Sequence, residues 1–303
     1  MMQSNLLTST ASPVTLRVPD WKRVWITLVG CGGTGSHIAS GLVAIAQALQ
    51  ARAVPCELQF VDMDTVEHKN VGRQLFSVAD IGQAKCEVLA GRLNAAFGLR
   101  IMSAVRALDP LDILPNPTQR DTLHIVIGAV DNPAARAMIA EVVGTADGQL
   151  WWLDCGNENH SGQVLLGNTT NKHALRGSVA LGMTDRLPAP SVVYPDLVKT
   201  PKARKTKRGA SCAELTASGE QSLMINRLMA AWACSMLNDF VVGRDLRYFG
   251  VALDAQWAGV RPYSIDAPTI AEACGLTADD VTVKATLVKK GSDHGEARTR
   301  RNH

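Results

Sequence analysis

Six residues, Gly30-Cys31-Gly32-Gly33-Thr34-Gly35, have the G-x-G-x-x-G spacing with which a backbone turns tightly and offers its amides to a phosphate. They follow an apolar run and open a helical pattern, so a helix N-terminus with its partial positive charge would face the anion. A purely structural glycine turn is the bland alternative, and the strand before and helix after the motif favour a nucleotide site over it. Asp62 ends a second strand-like run 27 residues after Gly35, where a carboxylate can accept the hydroxyls of a ribose. That much would serve NAD as well as ATP. The residues that follow separate the two. An NAD site satisfies its pyrophosphate largely with loop amides, whereas Arg73 and Lys85 would supply fixed positive charge for a triphosphate whose pyrophosphate must leave. Asp131, at the end of a fourth apolar run on the same edge, is placed to hold a magnesium ion bridging those phosphates.

The elements that must position these residues show in the hydrophobic pattern. Strand-like runs cover Val24 to Val29, Glu57 to Asp62, Leu99 to Val105, Leu123 to Val130, Leu150 to Asp154 and Gly162 to Leu166. Helical patterns lie between them: Gly35 to Ala51, with Ile38, Leu42, Ile45 and Leu49 on one face, then Gly82 to Phe97 and Pro133 to Val143. Asn132 before Pro133 is a good helix start, a capping amide followed by a residue with no N–H to leave unpaired. Near-continuous apolar strands alternating with helices predict an α/β fold, a Rossmann-like doubly wound, mostly parallel sheet with helices on both faces. After Gly167 a polar, proline-containing stretch reads as a long loop. An apolar helix from about Gln221 to Val242 follows, then a strand pair, Arg247 to Leu253 and Val260 to Ile265, and one short helix beyond Ala267.

Four motifs in order carry a family resemblance: GCGGTGS (30–36), the D-x-D-x-V-x-x-x-N-x-x-R-Q run from Asp62 to Gln74, G-Q-x-K from Gly82 to Lys85, and D-N-x-x-x-R from Asp131 to Arg136. The chain resembles the ThiF/MoeB group and the adenylation domains of ubiquitin-activating enzymes, and within the group the ThiF-like proteins of PRTRC-type plasmid cassettes. The resemblance implies ATP-dependent adenylation of the C-terminal carboxylate of a small ubiquitin-like β-grasp protein, with release of pyrophosphate. It implies a nucleotide site of Gly30, Gly32, Gly33, Gly35, Asp62, Asp64, Asn70, Arg73, Gln74, Lys85, Asp131 and Asn132. In it Asp62 binds ribose, Asn70, Arg73 and Lys85 bind phosphates, Gln74 shapes the site and Asp131 binds magnesium. It also implies a homodimer, and an adenylation domain over 21–266 with a crossover loop at about 185–211, an N-terminal extension (1–20) and a partly disordered C-terminal tail (267–303).

Members of the group that form a thioester or persulfide place their reactive cysteine where Cys212 stands. Ser211-x-x-Glu214 reads as a capping box, which would set Cys212 in the first turn of a helix beside Lys207 and Arg208, a setting that favours thiolate. An inert thiol in an adenylate-only enzyme is the competing reading. Cys155, after Trp151-Trp152, reads as core packing, and Cys31 lies inside the glycine loop. Two departures from the group matter. The segment before Trp21 lacks the arginine-bearing helix with which many relatives reach a partner subunit's ATP, leaving Arg17 or Arg23 as substitutes, and the zinc-binding C-x-x-C pairs are missing.

Composition narrows the classes. The 303 residues are 46% hydrophobic and 19% charged, enough apolar material for a large core and far from a disordered chain. Net charge is +3, unevenly spread: residues 199–208 hold six positive charges and no negative, and residues 284–303 hold six positive and two negative, leaving 19 positive against 26 negative side chains elsewhere. The first basic run reads as a solvated crossover loop, a docking surface for an acidic partner or a nucleic-acid contact. No aromatic residue interleaves with its charges, which argues against nucleic acid. No apolar run is long enough to span a membrane and no secretion signal opens the chain. Seven cysteines without a C-x-x-C pair fit reduced thiols in the cytoplasm, and the seven histidines show no metal-ligand spacing. Besides the adenylating enzyme, two other classes stay open: a non-catalytic nucleotide-binding interaction protein, and an NAD-dependent oxidoreductase, for which no hydride-transfer residue set is apparent.

Overall fold

The computed structural model describes residues 12–116, 118–199 and 224–283. A two-stranded parallel ribbon pairs β1 (Thr15–Leu16) with β8 (Met183–Thr184). The main sheet has eight strands: β2 (Arg23–Val29), β3 (Cys56–Val61), β4 (Met102–Ala104), β5 (Thr122–Gly128), β6 (Leu150–Asn157), β7 (Ser161–Gly167), β9 (Tyr248–Asp254) and β10 (Gly259–Ser264). Their spatial order is β10-β9-β7-β6-β5-β2-β3-β4. The five from β4 to β6 are parallel, and β7, β9 and β10 extend the sheet antiparallel.

Helices α1 (Gly33–Gln50), α2 (Lys85–Phe97) and α3 (Pro133–Thr145) are the crossovers, and α5 (Ile225–Leu237) returns the chain to the sheet after the short α4 (Pro190–Val193). Alternate residues of each central strand enter different cores. Ile125 and Ile127 of β5 and Trp151 and Leu153 of β6 pack with Ile38, Leu42, Leu89 and Met236 on one side. Val126, Leu150 and Trp152 pack with Ile139, Val142 and Val143 of α3 on the other. Burial of both faces is why these strands read as continuous apolar runs.

Several boundaries differ from the sequence expectation, each for a local reason. The strand expected over Leu99 to Val105 shrinks to Met102–Ala104, an edge strand paired on one side only with Gln59–Val61. Over the described residues 168–199 the expected long loop is a packed connection: Leu187 and Ala189 are fully buried, and Asn168 clamps the turn by accepting from the Leu187 amide at 2.9 Å and donating to the Asp185 carbonyl at 2.9 Å. The apolar helix runs as α-helix only to Leu237, then widens into a π-turn over Asn238–Gly243 that ends where Arg244 takes a left-handed φ of 53°. Residues 221–223, its expected start, lie outside the described residues. Among the described residues two helices lie from Ala267 onward where one was expected, α6 (Ala267–Cys274) and α7 (Ala278–Val281). The second is a single turn held by a Thr277–Asp280 capping box, too short to leave a periodic signal.

Candidate functional site

Strand order reverses between β2 and β5: from β2 the chain winds outward to β3 and β4, then crosses back to β5 and β6. At that switch point the carboxyl ends of the strands open a cleft of about 690 Å³, a size suited to a nucleotide. Backbone sterics build its floor. Gly30 has φ +88°, and a Cβ on Gly35 would lie 1.8 Å from the Gly30 carbonyl oxygen, so the loop closes on itself only without side chains.

Asp62 locks this loop to the next strand. Its Oδ2 accepts from the Cys31 amide at 2.5 Å and its Oδ1 from the Asp64 amide at 2.8 Å. Burial raises the Asp62 carboxyl above its usual value, against the pull of those two amides and of Lys85. Each oxygen keeps lone-pair capacity for a further donor. Lys85, the first residue of α2, donates from Nζ to Asp64 Oδ2 at 2.9 Å, and its amide donates to the Asp64 carbonyl at 3.0 Å. Asn70 is buried and its Oδ1 accepts from the Glu67 amide at 2.8 Å, which fixes the turn carrying it. Gln74 reaches the cleft from the same segment, with its Oε1 buried and making no hydrogen bond. Across the cleft, Asp131 stands exposed after β5. Asn132 caps α3 by accepting from the Ala135 amide at 2.8 Å, as the sequence predicts.

The structure therefore brings Gly30, Gly32, Gly33, Asp62, Asp64, Asn70, Gln74, Lys85, Asp131 and Asn132 to one cleft. Gly35 and Arg73 are not among the lining residues. Gly35 supports the loop from behind, and Arg73 is half-buried, its amide donating to the Asn70 carbonyl at 3.3 Å. Cys212 and most of the 199–208 run lie outside the described residues. Arg23 begins β2, at the opposite end of the strand from the cleft, and Arg17 lines a separate groove beside Trp21. Cys155 lines the cleft but is buried, and burial together with the Asp154 charge raises its thiol well above the usual range, the state of a packing residue and not of a nucleophile.

Sequence reasoning missed two groups. Arg136 donates from Nε to Asp154 Oδ1 at 3.0 Å and from Nη2 to the Cys155 carbonyl at 3.3 Å, a buried pair that ties α3 to β6 beneath the cleft. Its signals were the last residue of D-N-x-x-x-R and a lone aspartate ending an apolar strand. At the far end, Thr34 stands between two amides, its Oγ1 3.0 Å from Asn226 Oδ1 and 3.3 Å from Asn157 Oδ1, joining α1, α5 and β6. Asn226, a polar side chain inside an apolar helix, was the legible trace of that contact.

These features define a class, a Rossmann-like α/β protein whose cleft lies at the carboxyl ends of a parallel sheet and is floored by a glycine-loop helix N-terminus. The polar groups fit ATP: open loop amides and a lysine at a helix head can donate to phosphate, and the unsatisfied buried Gln74 oxygen can accept from a hydroxyl or amine of the nucleotide. For magnesium, no group of three His, Cys, Asp or Glu among the described residues could hold an ion unaided. Asp131 alone suits an ion that takes most of its ligands from phosphate and water.

The chain belongs to the ThiF family, whose family model matches residues 15–262. Among solved structures it is similar to PaaA, at 16% identity and a TM-score of 0.54, covering 80% of this chain and 73% of that one. It is also similar to E. coli MccB solved with ATP, at 16% identity and TM-score 0.50 over 80% and 64% of the two chains. MccB with MccA matches at 16% identity and TM-score 0.52 over 83% and 66%. The chain thus spans just under two thirds of the MccB chains, and at these identities the likeness establishes the shared fold. No curated protein matches the chain in sequence.

Proposed function

We propose that the protein uses ATP to adenylate the C-terminal carboxylate of a small protein. The observation that carries this reading is the convergence on one cleft of the Asp62-clamped glycine loop, a buried lysine at the head of α2, and Asp131 facing them from the end of β5. ThiF-family membership supports it, and so do the similar structures of MccB with ATP and with MccA. In the reaction a carboxylate oxygen attacks the α-phosphorus, the bond from that phosphorus to the bridging oxygen breaks, and pyrophosphate leaves with the bonding electrons. Negative charge builds on the phosphates, and fixed cations and amides stabilise it without reorganising. Loop amides at Gly32 and Gly33 cradle phosphate, Asp62 accepts from the ribose, and Lys85 and Asn70 meet the phosphates. Magnesium, held by Asp131, would neutralise the leaving pyrophosphate. The four motifs favour a ubiquitin-like β-grasp substrate, with Cys212 as the candidate acceptor of the activated acyl group and a homodimer as the working unit.

The test is ATP:pyrophosphate exchange with candidate small proteins ending in glycine, with Asp131→Ala and Arg73→Ala alongside. Exchange that needs both the small protein and Asp131 is the expected result, with a loss of about 100-fold or more in Asp131→Ala. ATP binding with no exchange for any candidate would instead assign the chain to the non-catalytic binding proteins, and preferential binding of NAD to the oxidoreductases.

A further inference from the structure

Four cations line the cleft among the described residues, and a carboxylate already holds each one. Lys69 pairs with Glu67 at 3.2 Å, Lys85 with Asp64 at 2.9 Å, Arg106 with Asp112 at 2.6 Å and Arg136 with Asp154 at 3.0 Å. A polyanion entering the cleft therefore gains from a cation here only by competing with a resident carboxylate.

The four pairs differ in how readily that happens. Lys69–Glu67 is exposed on both sides and holds little energy either way. Asp112 is buried and receives two parallel bonds from Arg106, a third from Gln59 and a fourth from the Asp109 amide, so it has nowhere to go. Arg136–Asp154 is buried on both sides. Only Lys85–Asp64 joins a buried cation, 7% exposed, to an anion that is 62% exposed. Its carboxylate can swing into water at small cost, whereas leaving its buried ammonium without an anion is costly, so an incoming anion is favoured there. Lys85 also opens a 13-residue helix, where a cation opposes the helix dipole and a second anion is welcome.

We propose that Asp64 is the resident counter-ion of Lys85 and that the nucleotide's phosphates displace it, so that phosphate binding at this ammonium exchanges one anion for another. The inference rests on the nucleotide reading of the cleft. It makes Asp64 a positioning residue that acts on the nucleotide through Lys85, holding the ammonium in place between turnovers and discriminating against ligands too weakly charged to take it. The contact that anchors Asp62 comes from the Asp64 backbone amide, a group every side-chain variant at this position retains.

The experiment is calorimetric titration of adenosine, AMP and ATP, each with Mg²⁺ and with EDTA, into the wild type, Asp64→Asn, Asp64→Glu, Lys85→Met and the double variant Asp64→Asn/Lys85→Met. Thermal midpoints serve as the check on folding. Asp64→Asn, which keeps an acceptor for Lys85 but no charge, is expected to tighten AMP and ATP by about three- to tenfold and leave adenosine unchanged. Asp64→Glu should restore the wild-type values. In the Lys85→Met background the same Asp64→Asn change should have no effect, which separates an exchange at this ammonium from a general rise in positive potential. Weaker ATP binding in Asp64→Asn would overturn the proposal by making Asp64 a direct ligand, and weakening seen only with Mg²⁺ would make it a metal ligand. An unchanged ATP affinity, a parallel shift in adenosine, or an effect that survives in the Lys85→Met background would overturn it as well. Failure of the wild type to bind any adenine nucleotide would bring down the nucleotide reading and this inference together. With nucleotide binding intact, the other adverse outcomes remove this inference alone.

Discussion

Two ion pairs at the same cleft are built in opposite ways. Arg136–Asp154 is closed to solvent on both sides, at 10% and 1% exposure, with a further bond from the guanidinium to the Cys155 carbonyl. Lys85–Asp64 is closed on one side only. A pair buried at both ends has its desolvation cost already spent and is hard to break, because removing one partner strands the other. A pair open at one end can be broken by anything that replaces the exposed partner. The first construction suits a joint between α3 and β6, and the second suits a contact that must be remade during binding.

The largest effect should come from the closed pair. Arg136→Met leaves Asp154 buried without a cation and is expected to cost about 3–5 kcal/mol in urea unfolding. Combining it with Asp154→Leu should recover much of that loss, and a loss under about 1 kcal/mol in the single variant would erase the contrast. Next in size is Lys85→Met, expected to cost nucleotide affinity tenfold or more while changing stability by less than about 1 kcal/mol, because the carboxylate left behind is already in water. Comparable losses of stability at Lys85 and Arg136 would show that the two pairs do the same job.

Asp62 sharpens the contrast through pH. Its carboxyl titrates above the usual value in the folded protein, so between the unfolded and folded pKa values the folded state holds the extra proton, and stability falls as pH rises across that window. Asp62→Asn should flatten this slope in unfolding measured from about pH 4 upward. The smallest effect belongs to His124, in mid-sheet on β5, whose pKa burial lowers below its ordinary 6.5. Its unfolded form binds the proton first, so its contribution is complete above that value and is lost as pH falls through the window beneath it. His124→Gln should remove a shallow acid-side slope and leave nucleotide affinity unchanged.

Much of this was legible in the residues. The central strands announce themselves because both faces are buried, and the glycine loop because its spacing is a steric requirement. Asn132-Pro133 marked a helix start to the residue. Ends failed where neighbours decide them. Nothing in Leu99 to Val105 says that only Met102–Ala104 finds a partner strand, or that α5 widens into a π-turn after Leu237. In the cleft, Asp62, Asp64, Lys85 and Asp131 were readable as motif residues, but the ion pairs around the cleft were not. Asp64 and Lys85 are 21 residues apart across a loop, and Arg136 meets Asp154 only because α3 lies along β6. Thr34, Asn157 and Asn226 come from three elements spread over nearly 200 positions, with no local pattern to link them.

The position of β2 in the middle of the five parallel strands has a consequence for how the molecule comes into being. Its residues pair on one side with β3, about thirty positions later, and on the other with β5, where Arg23 lies opposite Thr122. The second pairing closes a loop of about a hundred residues, a slow step because its entropy is spent before its contacts form. The floor and one wall of the cleft can assemble early, but Asp131 cannot face Lys85 until β5 has docked. During synthesis the first hundred residues would hold the glycine loop and the Lys85–Asp64 pair without Asp131 across from them, and the nucleotide cleft is complete only when β5 and β6 have left the ribosome and joined the sheet.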